Sequence, residues 1–518
     1  RGVKGPELHR LRVSRLEDES WSAPATITES DGLVLNWADF PAVARGRGGT
    51  LVAHWAERTG GGSYAYDVVL GHSNDGGKSW RRVGTPHDDR TATEHGFVSL
   101  IGDGPGVRAF WLDGREMAGE GHDGAHGGGA MTLRTGMAGA APDLGELLDP
   151  RVCDCCGTSA AMTSEGPVVV YRNRDENEVR DIFILRSIKG VWSQPRPVHA
   201  DGWRVPGCPV NGPSVVARGK RVAVAWYTYA ADRPSVRVAF SEDAGETFGA
   251  PIEVDGPRGG RVPLGRVHLV LEEDGTALVS WMASEREDAS VLLRRVSPRR
   301  RLGSPVLITS TRAERGSGFP RLASSGARLF VAFTEPGTPT RVRVARFSKS
   351  DVPPASAQAE PQDPQAGAPA VLAVGRPAPA YAAVDLDGKP VSLEGQKGHA
   401  VLVNLWATWC EPCRFELPEL AALHGRFSAK GLRVVGVSVD AKRTPAEIRD
   451  FVTRRKLPYA IWLDPEDRAS PAFGVTTLPA SFLFDRRGVL VWRRDGTVRA
   501  EDPELLAALQ RALATPGE

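Results

Sequence analysis

The feature that most restricts how this chain can fold is a repeat of about 55 residues in its first two-thirds. A Pro or small residue, an apolar position, a polar or Gly-rich turn and an apolar strand recur six times. The starts are Pro41-Ala42-Val43, Val98-Ser99-Leu100, Thr158-Ser159-Ala160, Pro213-Ser214-Val215, Val267-His268-Leu269 and Pro320-Arg321-Leu322. They lie 57, 60, 55, 54 and 53 residues apart. A unit of that length holds several strands yet cannot bury its own apolar face, so neighbours must stack on one another. The pattern predicts an all-β propeller of six blades over residues 1–350. The 58 Gly, 39 Pro and 13 Trp suit short strands and turns better than helices.

A second register agrees with the count. Trp21, Trp80, Trp192, Phe248 and Leu302 each fall 18 to 21 residues before a repeat start, where outer-strand corners belong. Trp21 keeps this interval to the first repeat, so the strand around Leu8 to Val13 is expected to complete the last blade and remove its free edge. Two corners, Ser73 to Trp80 and Ser241 to Phe248, match the Asp-box pattern: an Asp side chain caps a tight hairpin, Gly takes positive φ and an aromatic plugs the blade. On these residues the region resembles the sialidase-like propellers; an unrelated six-bladed propeller with similar turns is the alternative. Sialidases clamp a substrate carboxylate with arginines, one of them just before the first repeat proline. Here Ala38-Asp39-Phe40-Pro41 puts an Asp in that place, which would repel the carboxylate, so the comparison implies a binding or docking platform rather than a hydrolase.

The propeller region carries four cysteines. Cys153, with Cys155 and Cys156 after it, and Cys208 stand just before repeat starts, Cys153 and Cys208 each by five residues. Equivalent positions in neighbouring blades are adjacent, so these thiols are expected close together. Three uses compete: a structural disulfide from Cys208 to one of the cluster, a soft-ligand site for Cu(I) or Zn, or a redox set that exchanges with a second cysteine pair described next. His95, His122, His126 and Met131 are weak additional metal candidates.

Residues 351–370 contain five prolines and no apolar periodicity, as a linker does, and separate residues 371–518. There Cys410-Glu411-Pro412-Cys413 follows the apolar run Ala400 to Trp406 and precedes Phe415, Leu417, Leu420 and Leu423 at helical spacing. Cys410 therefore opens a helix, whose N-terminal N–H groups favour a thiolate. Half a zinc site is the competing use of the motif, but no second Cys or His pair follows in this part of the chain.

The run Val403-Asn404-Leu405-Trp406-Ala407-Thr408-Trp409-Cys410-Glu411-Pro412-Cys413-Arg414-Phe415-Glu416-Leu417-Pro418 resembles the TlpA/ResA branch of thioredoxin-like proteins, which are extracytoplasmic thiol–disulfide oxidoreductases. The resemblance implies a thioredoxin-like α/β domain with catalytic Cys410, Cys413 and Glu416. Cys410, the more exposed thiol, would attack a protein disulfide, Cys413 would resolve it and Glu416 would tune acidity and move protons. A plain first-turn carboxylate is the alternative for Glu416. Trp409, Glu411, Pro412 and the loop Thr477-Leu478-Pro479, matching the family's cis-proline loop, would meet the substrate. Asn404 stands where ordinary thioredoxin has a buried acid, leaving Glu416 or water as the base.

The same resemblance implies antioxidant activity, no required cofactor, a membrane electron donor, and targets such as apocytochrome c, as in cytochrome c biogenesis, or copper-site cysteines. A periplasmic or otherwise extracytoplasmic setting follows, and Arg1 in place of Met is read as a trimmed start, with secretion or an anchor supplied by a segment not present here. A net charge of +2 with interspersed signs marks no nucleic-acid face, and no apolar run reaches the ~18 residues of a membrane span. Two readings from other classes stand beside the reductase: a copper-binding chaperone built on the propeller cysteines, and a glycan-binding or sialidase-type module with a redox appendage.

Overall fold

The computed structural model describes residues 8–358 and 372–516, apart from 18, 61–64, 118–129, 140–144, 258–260, 286–287, 441–442 and 476–477. Six antiparallel sheets follow one another along the first 350 residues, one for each repeat. Blade one runs from the strand Ala42–Arg45 to Arg81–Gly84, and blade five from Val262–Leu271 to Val306–Arg312. Apolar clusters lie between adjacent blades; one joins Ala225 and Val238 of blade four to Val279 and Trp281 of blade five. The middle strand of blade five, Ala277–Glu285, is thus buried on both faces by its neighbours, whereas Val342 and Val344 on the outer strand of blade six are exposed. The large aromatics inside keep their polar ends paired: Trp111, Trp226 and Trp281 donate to Asp113, Asp201 and Asp255 at 2.8, 2.6 and 2.7 Å.

Both Asp-box turns form. Asp75 accepts from the N–H groups of Lys78 and Ser79, each at 3.0 Å, and Asp243 accepts from Thr247 N–H at 2.8 Å. The closing strand departs from expectation. His9–Val13 pairs with Ala25–Ser30 in a two-stranded sheet of its own, not with blade six. Leu11 and Ile27 pack on Trp55, Val69 and Leu33, so the apolar face of blade one takes this hairpin as its cover. Blade six keeps three strands, and among the described residues its outer strand Arg341–Ser348 pairs on one side only. Past it, Val352 is buried in the propeller and Ala357–Gln358 pairs with Arg301–Leu302, so the first residues of the proline-rich stretch lie on blade five.

The C-terminal region is a seven-stranded sheet with its central strands Ala400–Trp406, Leu432–Ser438 and Ala460–Leu463 parallel and Ala480–Phe484 antiparallel beside the first. Its helices are α1 (Glu411–Phe427), α2 (Pro445–Arg454), α3 (Ala469–Phe473) and α4 (Pro503–Ala514). Thr444 and Glu447 make a capping box on α2, and Asp502 caps α4. This is the thioredoxin-like α/β domain expected, with α3 added. No helix among the described residues is long and apolar enough to cross a membrane.

Candidate functional site

The chain leaves the buried strand Ala400–Trp406, turns through Ala407, Thr408 and Trp409, and enters α1 with Cys410 as its N-cap. Asp440 holds that turn: its buried carboxylate accepts from Thr408 N–H at 2.9 Å, from Thr408 Oγ1 at 2.6 Å and from Ser438 Oγ at 2.6 Å. Cys410 and Cys413 are joined as a disulfide, and Cys413 N–H donates to Cys410 Sγ at 3.2 Å. That donor is one a helix N-terminus offers to a thiolate. Pro412 is within the first two helical residues and half-buried.

Glu416 lies one turn beyond Cys413 and is 1% exposed. Its Oε2 accepts from Val498 N–H at 2.9 Å, and its Oε1 accepts from Asn404 Nδ2, which also reaches Ser481 Oγ at 3.0 Å. Burial outweighs these donors and pushes the carboxyl up to about 8. It is therefore a neutral acid at pH 7, unlike a first-turn carboxylate kept charged by the helix. Asn404 can serve both forms, donating through Nδ2 to the carboxylate or accepting through Oδ1 from the acid.

The Leu478–Pro479 peptide bond is cis. Thr477 and the side chain of Glu411 lie outside the described residues. The propeller lies against this loop. Cys208 forms an antiparallel bridge with Leu478, its N–H donating to Leu478 O at 3.1 Å, and Thr497 N–H donates to Pro206 O at 3.1 Å. The seam is close enough that a Cβ on Gly496, which has φ +111°, would stand 2.6 Å from Pro206 O. On the other side of the dithiol, the Arg315 guanidinium lies over the Trp409 ring, 4.8 Å from its centroid, and its Nε is 3.4 Å from Asp467 Oδ2. Cys410 is 2% and Cys413 0% exposed, so the expected greater exposure of Cys410 almost vanishes where propeller residues cover both flanking loops.

The four propeller cysteines are free thiols and do come together. Cys153 Sγ is 2.8 Å from Cys156 Sγ and 4.0 Å from Cys155 Sγ, while Arg180 Nη1 donates to it at 3.4 Å. Burial opposes ionisation of Cys153, but the thiols of Cys155 and Cys156 and the charge of Arg180 hold it well below the usual thiol range. Burial, then hydrogen bonds with the thiols of Cys153, Cys156 and Cys208, push Cys155 well above that range. The two cysteine loops touch along their backbones: a Cβ on Gly212 would stand 2.1 Å from Gly157 O. His95 is elsewhere, its ring 4.0 Å from that of His87 and its nitrogens facing Asp67, Asp89 and Asp113 at 3.4, 3.1 and 3.6 Å. Met131 is an apolar core residue with Phe97 and Leu133, and His122 and His126 lie outside the described residues.

The AhpC/TSA family model matches residues 374–493. The thiol-disulfide oxidoreductase ResA of Bacillus anthracis is 33% identical over 120 residues, which are 23% of this chain and 68% of that protein. ResA of Bacillus subtilis (strain 168) is 31% identical over 127 residues, 24% of this chain and 70% of that protein. The chain belongs to the ResA family. Its ResA-type domain is a thiol–disulfide oxidoreductase of thioredoxin fold that acts on disulfide-containing proteins. Among solved structures, a thiol:disulfide interchange protein of Chlorobium tepidum TLS is 27% identical, covering 27% of this chain and 99% of its own, at a TM-score of 0.25.

Several residues around the ResA-type centre escape a reading by motif: Asp440, Asp467, Arg180 and Arg315. For Arg315 a signal exists, since it stands five residues before Pro320, the place Cys153 and Cys208 hold in their own repeats. The three positions converge for the reason the cysteines do.

Proposed function

We propose that the chain is an extracytoplasmic disulfide reductase in which Cys410 and Cys413 are the reacting pair, Glu416 the proton store and the propeller a non-hydrolytic platform that governs access. Once reduced, Cys410 attacks a partner's disulfide as the thiolate that the α1 N-terminus favours. Cys413 then attacks the mixed disulfide at Cys410, restoring the internal disulfide and releasing the partner as a thiol. Glu416, neutral at pH 7, is a buried acid within the same domain core, suited to supplying and retrieving the proton. A membrane electron donor returns the pair to the dithiol, and apocytochrome c or copper-site cysteines are the target class.

The carrying observation is Cys410 at the helix N-cap with the Cys413 N–H on its sulfur, backed by a carboxyl kept neutral by burial. Two of the propeller's buried arginines are committed to the backbone, which favours a platform over a hydrolase. Arg172 donates to the carbonyls of Asn211, Arg180 and Tyr227, and Arg266 to those of Glu314 and Gly318. Reduction of insulin by the chain should vanish in Cys410→Ser, and activity that survives this change would defeat the reading.

A second use of the propeller thiols is favoured by one observation: the sulfurs of Cys153, Cys155 and Cys156 all lie within 4.8 Å of one another, as a trigonal Cu(I) or Zn site needs. Metal analysis of the reduced chain beside Cys153→Ser separates the two uses.

A further inference from the structure

The seam between the two parts of the chain has the form of an enzyme holding a substrate. The segment Pro206 to Pro209 bends at Pro206 and Gly207 and then lies against Leu478, the residue before Pro479, and the residue that pairs with Leu478 is a cysteine. Strand addition of this kind places backbone by hydrogen bonds and leaves side chains to decide what reacts. Behind Cys208 stands a second thiol, Cys155, within hydrogen-bonding reach, and behind that Cys153, its Sγ 4.0 Å from that of Cys155 and 3.4 Å from Arg180 Nη1. Arg315 ties the arrangement together: it stacks on Trp409, pairs with Asp467 and lies within electrostatic reach of both Cys208 and Cys155. Among the described residues its Nη1 has no hydrogen-bond partner, leaving a buried cationic donor beside thiols that would ionise during exchange.

We infer that Cys208 occupies the substrate place of the Cys410–Cys413 centre and passes a disulfide between that centre and Cys155. This relay rests on the reading of Cys410 and Cys413 as the reacting pair. In the oxidised form seen here, Cys208 attacks Cys410 Sγ; a Cys208–Cys410 bond forms, the Cys410–Cys413 bond breaks, and the proton of Cys208 ends on Cys413. Cys155 then attacks Cys208 Sγ. A Cys155–Cys208 bond forms and the Cys208–Cys410 bond breaks. The proton of Cys155 ends on Cys410 as it departs. Two electrons and two protons have moved from the propeller to the ResA-type domain. Run backwards, the same exchange lets a reduced ResA-type domain reduce a propeller disulfide, so the propeller is a resident redox partner.

The test uses the full chain. In a Cys413→Ser/Cys155→Ser chain both resolving thiols are gone, and oxidation with glutathione disulfide should join the Cys208 and Cys410 peptides in a non-reduced digest. That link should outnumber the glutathione adduct at Cys410 by ~10-fold or more, since the tethered thiol competes at high effective concentration. The native chain gives a check free of substitutions: in a glutathione redox titration followed by differential alkylation, Cys155 and Cys208 should become protected together and in exchange with Cys410 and Cys413. A Cys410 that takes only glutathione in the variant, while the Cys410–Cys413 pair of the native chain cycles normally on insulin, overturns the relay alone. A native pair that never cycles overturns the relay and the reductase reading together.

Discussion

Replacing Glu416 by Gln tests the least ordinary claim about the centre, that a carboxyl in the domain core is uncharged at neutral pH. The ordinary value of 4.5 rises to about 8 in the folded chain, chiefly because burial penalises the charge. Above pH 4.5 the unfolded chain has lost this proton while the folded one keeps it until about 8. The folded state therefore holds the extra proton, and stability falls by about 1.4 kcal/mol per pH unit through that window before levelling off. Between pH 5 and 7 the wild type should lose up to about 3 kcal/mol from this group. Gln cannot ionise and keeps the contacts with Val498 and Asn404 in outline, so Glu416→Gln should gain on the wild type by that amount over the same interval. Urea titrations of the oxidised full chain at pH 5, 6, 7 and 8, read by hydrogen exchange of α1 peptides, give the difference directly. A wild-type-minus-variant difference that stays flat from pH 5 to 8 would show that Glu416 is charged in the fold and would remove it as a proton store.

Gly496→Ala should open the seam without unfolding either part, because the added Cβ meets Pro206 O at 2.6 Å on a backbone with φ +111°. Hydrogen exchange at the Cys208 and Thr497 amides should accelerate at least ~10-fold while strand Ala400–Trp406 stays protected; unchanged exchange at both amides would mean the seam does not depend on that contact. Arg180→Met should raise the pH at which Cys153 ionises, because the guanidinium is one of the groups that lower it, so the thiolate ultraviolet absorbance of the reduced chain should develop at higher pH; coincident titration curves for the two chains would show that Arg180 does not act on Cys153.

Much of this architecture is legible in local pattern. Six repeat starts specify six sheets because every blade must present the same apolar strand to its neighbour, and the Ala400 to Leu423 stretch specifies a strand, a turn and a helix in fixed order. What local pattern does not carry is contact between distant backbones. Cys208 meets Leu478 through an N–H and a carbonyl that every residue possesses, and only the positions of Gly207 and Gly496 hint that the chains approach so closely. The neutral state of Glu416 is hidden for a related reason: it comes from burial by distant parts of the chain, strong enough to outweigh the N–H of Val498, 82 residues on, which favours the charged form. The misplaced closing strand shows the limit of register. Leu8 to Val13 has the right spacing for blade six, yet the exposed apolar face around Trp55 and Val69 competes for it and holds it through Leu11 and Ile27.

The covered dithiol has a kinetic meaning. A thiol tethered against its partner counts as a local concentration on the order of millimolar or more. A free protein disulfide at micromolar levels would collide with a centre already engaged by its own chain, and its apparent rate would be scaled down by the fraction of time the seam is open. A target that first binds the propeller escapes this penalty, because binding raises its own local concentration to the same range. The seam would then act as a threshold that selects bound clients over passing ones, with selectivity set by the opening equilibrium rather than by the shape of the sulfur site.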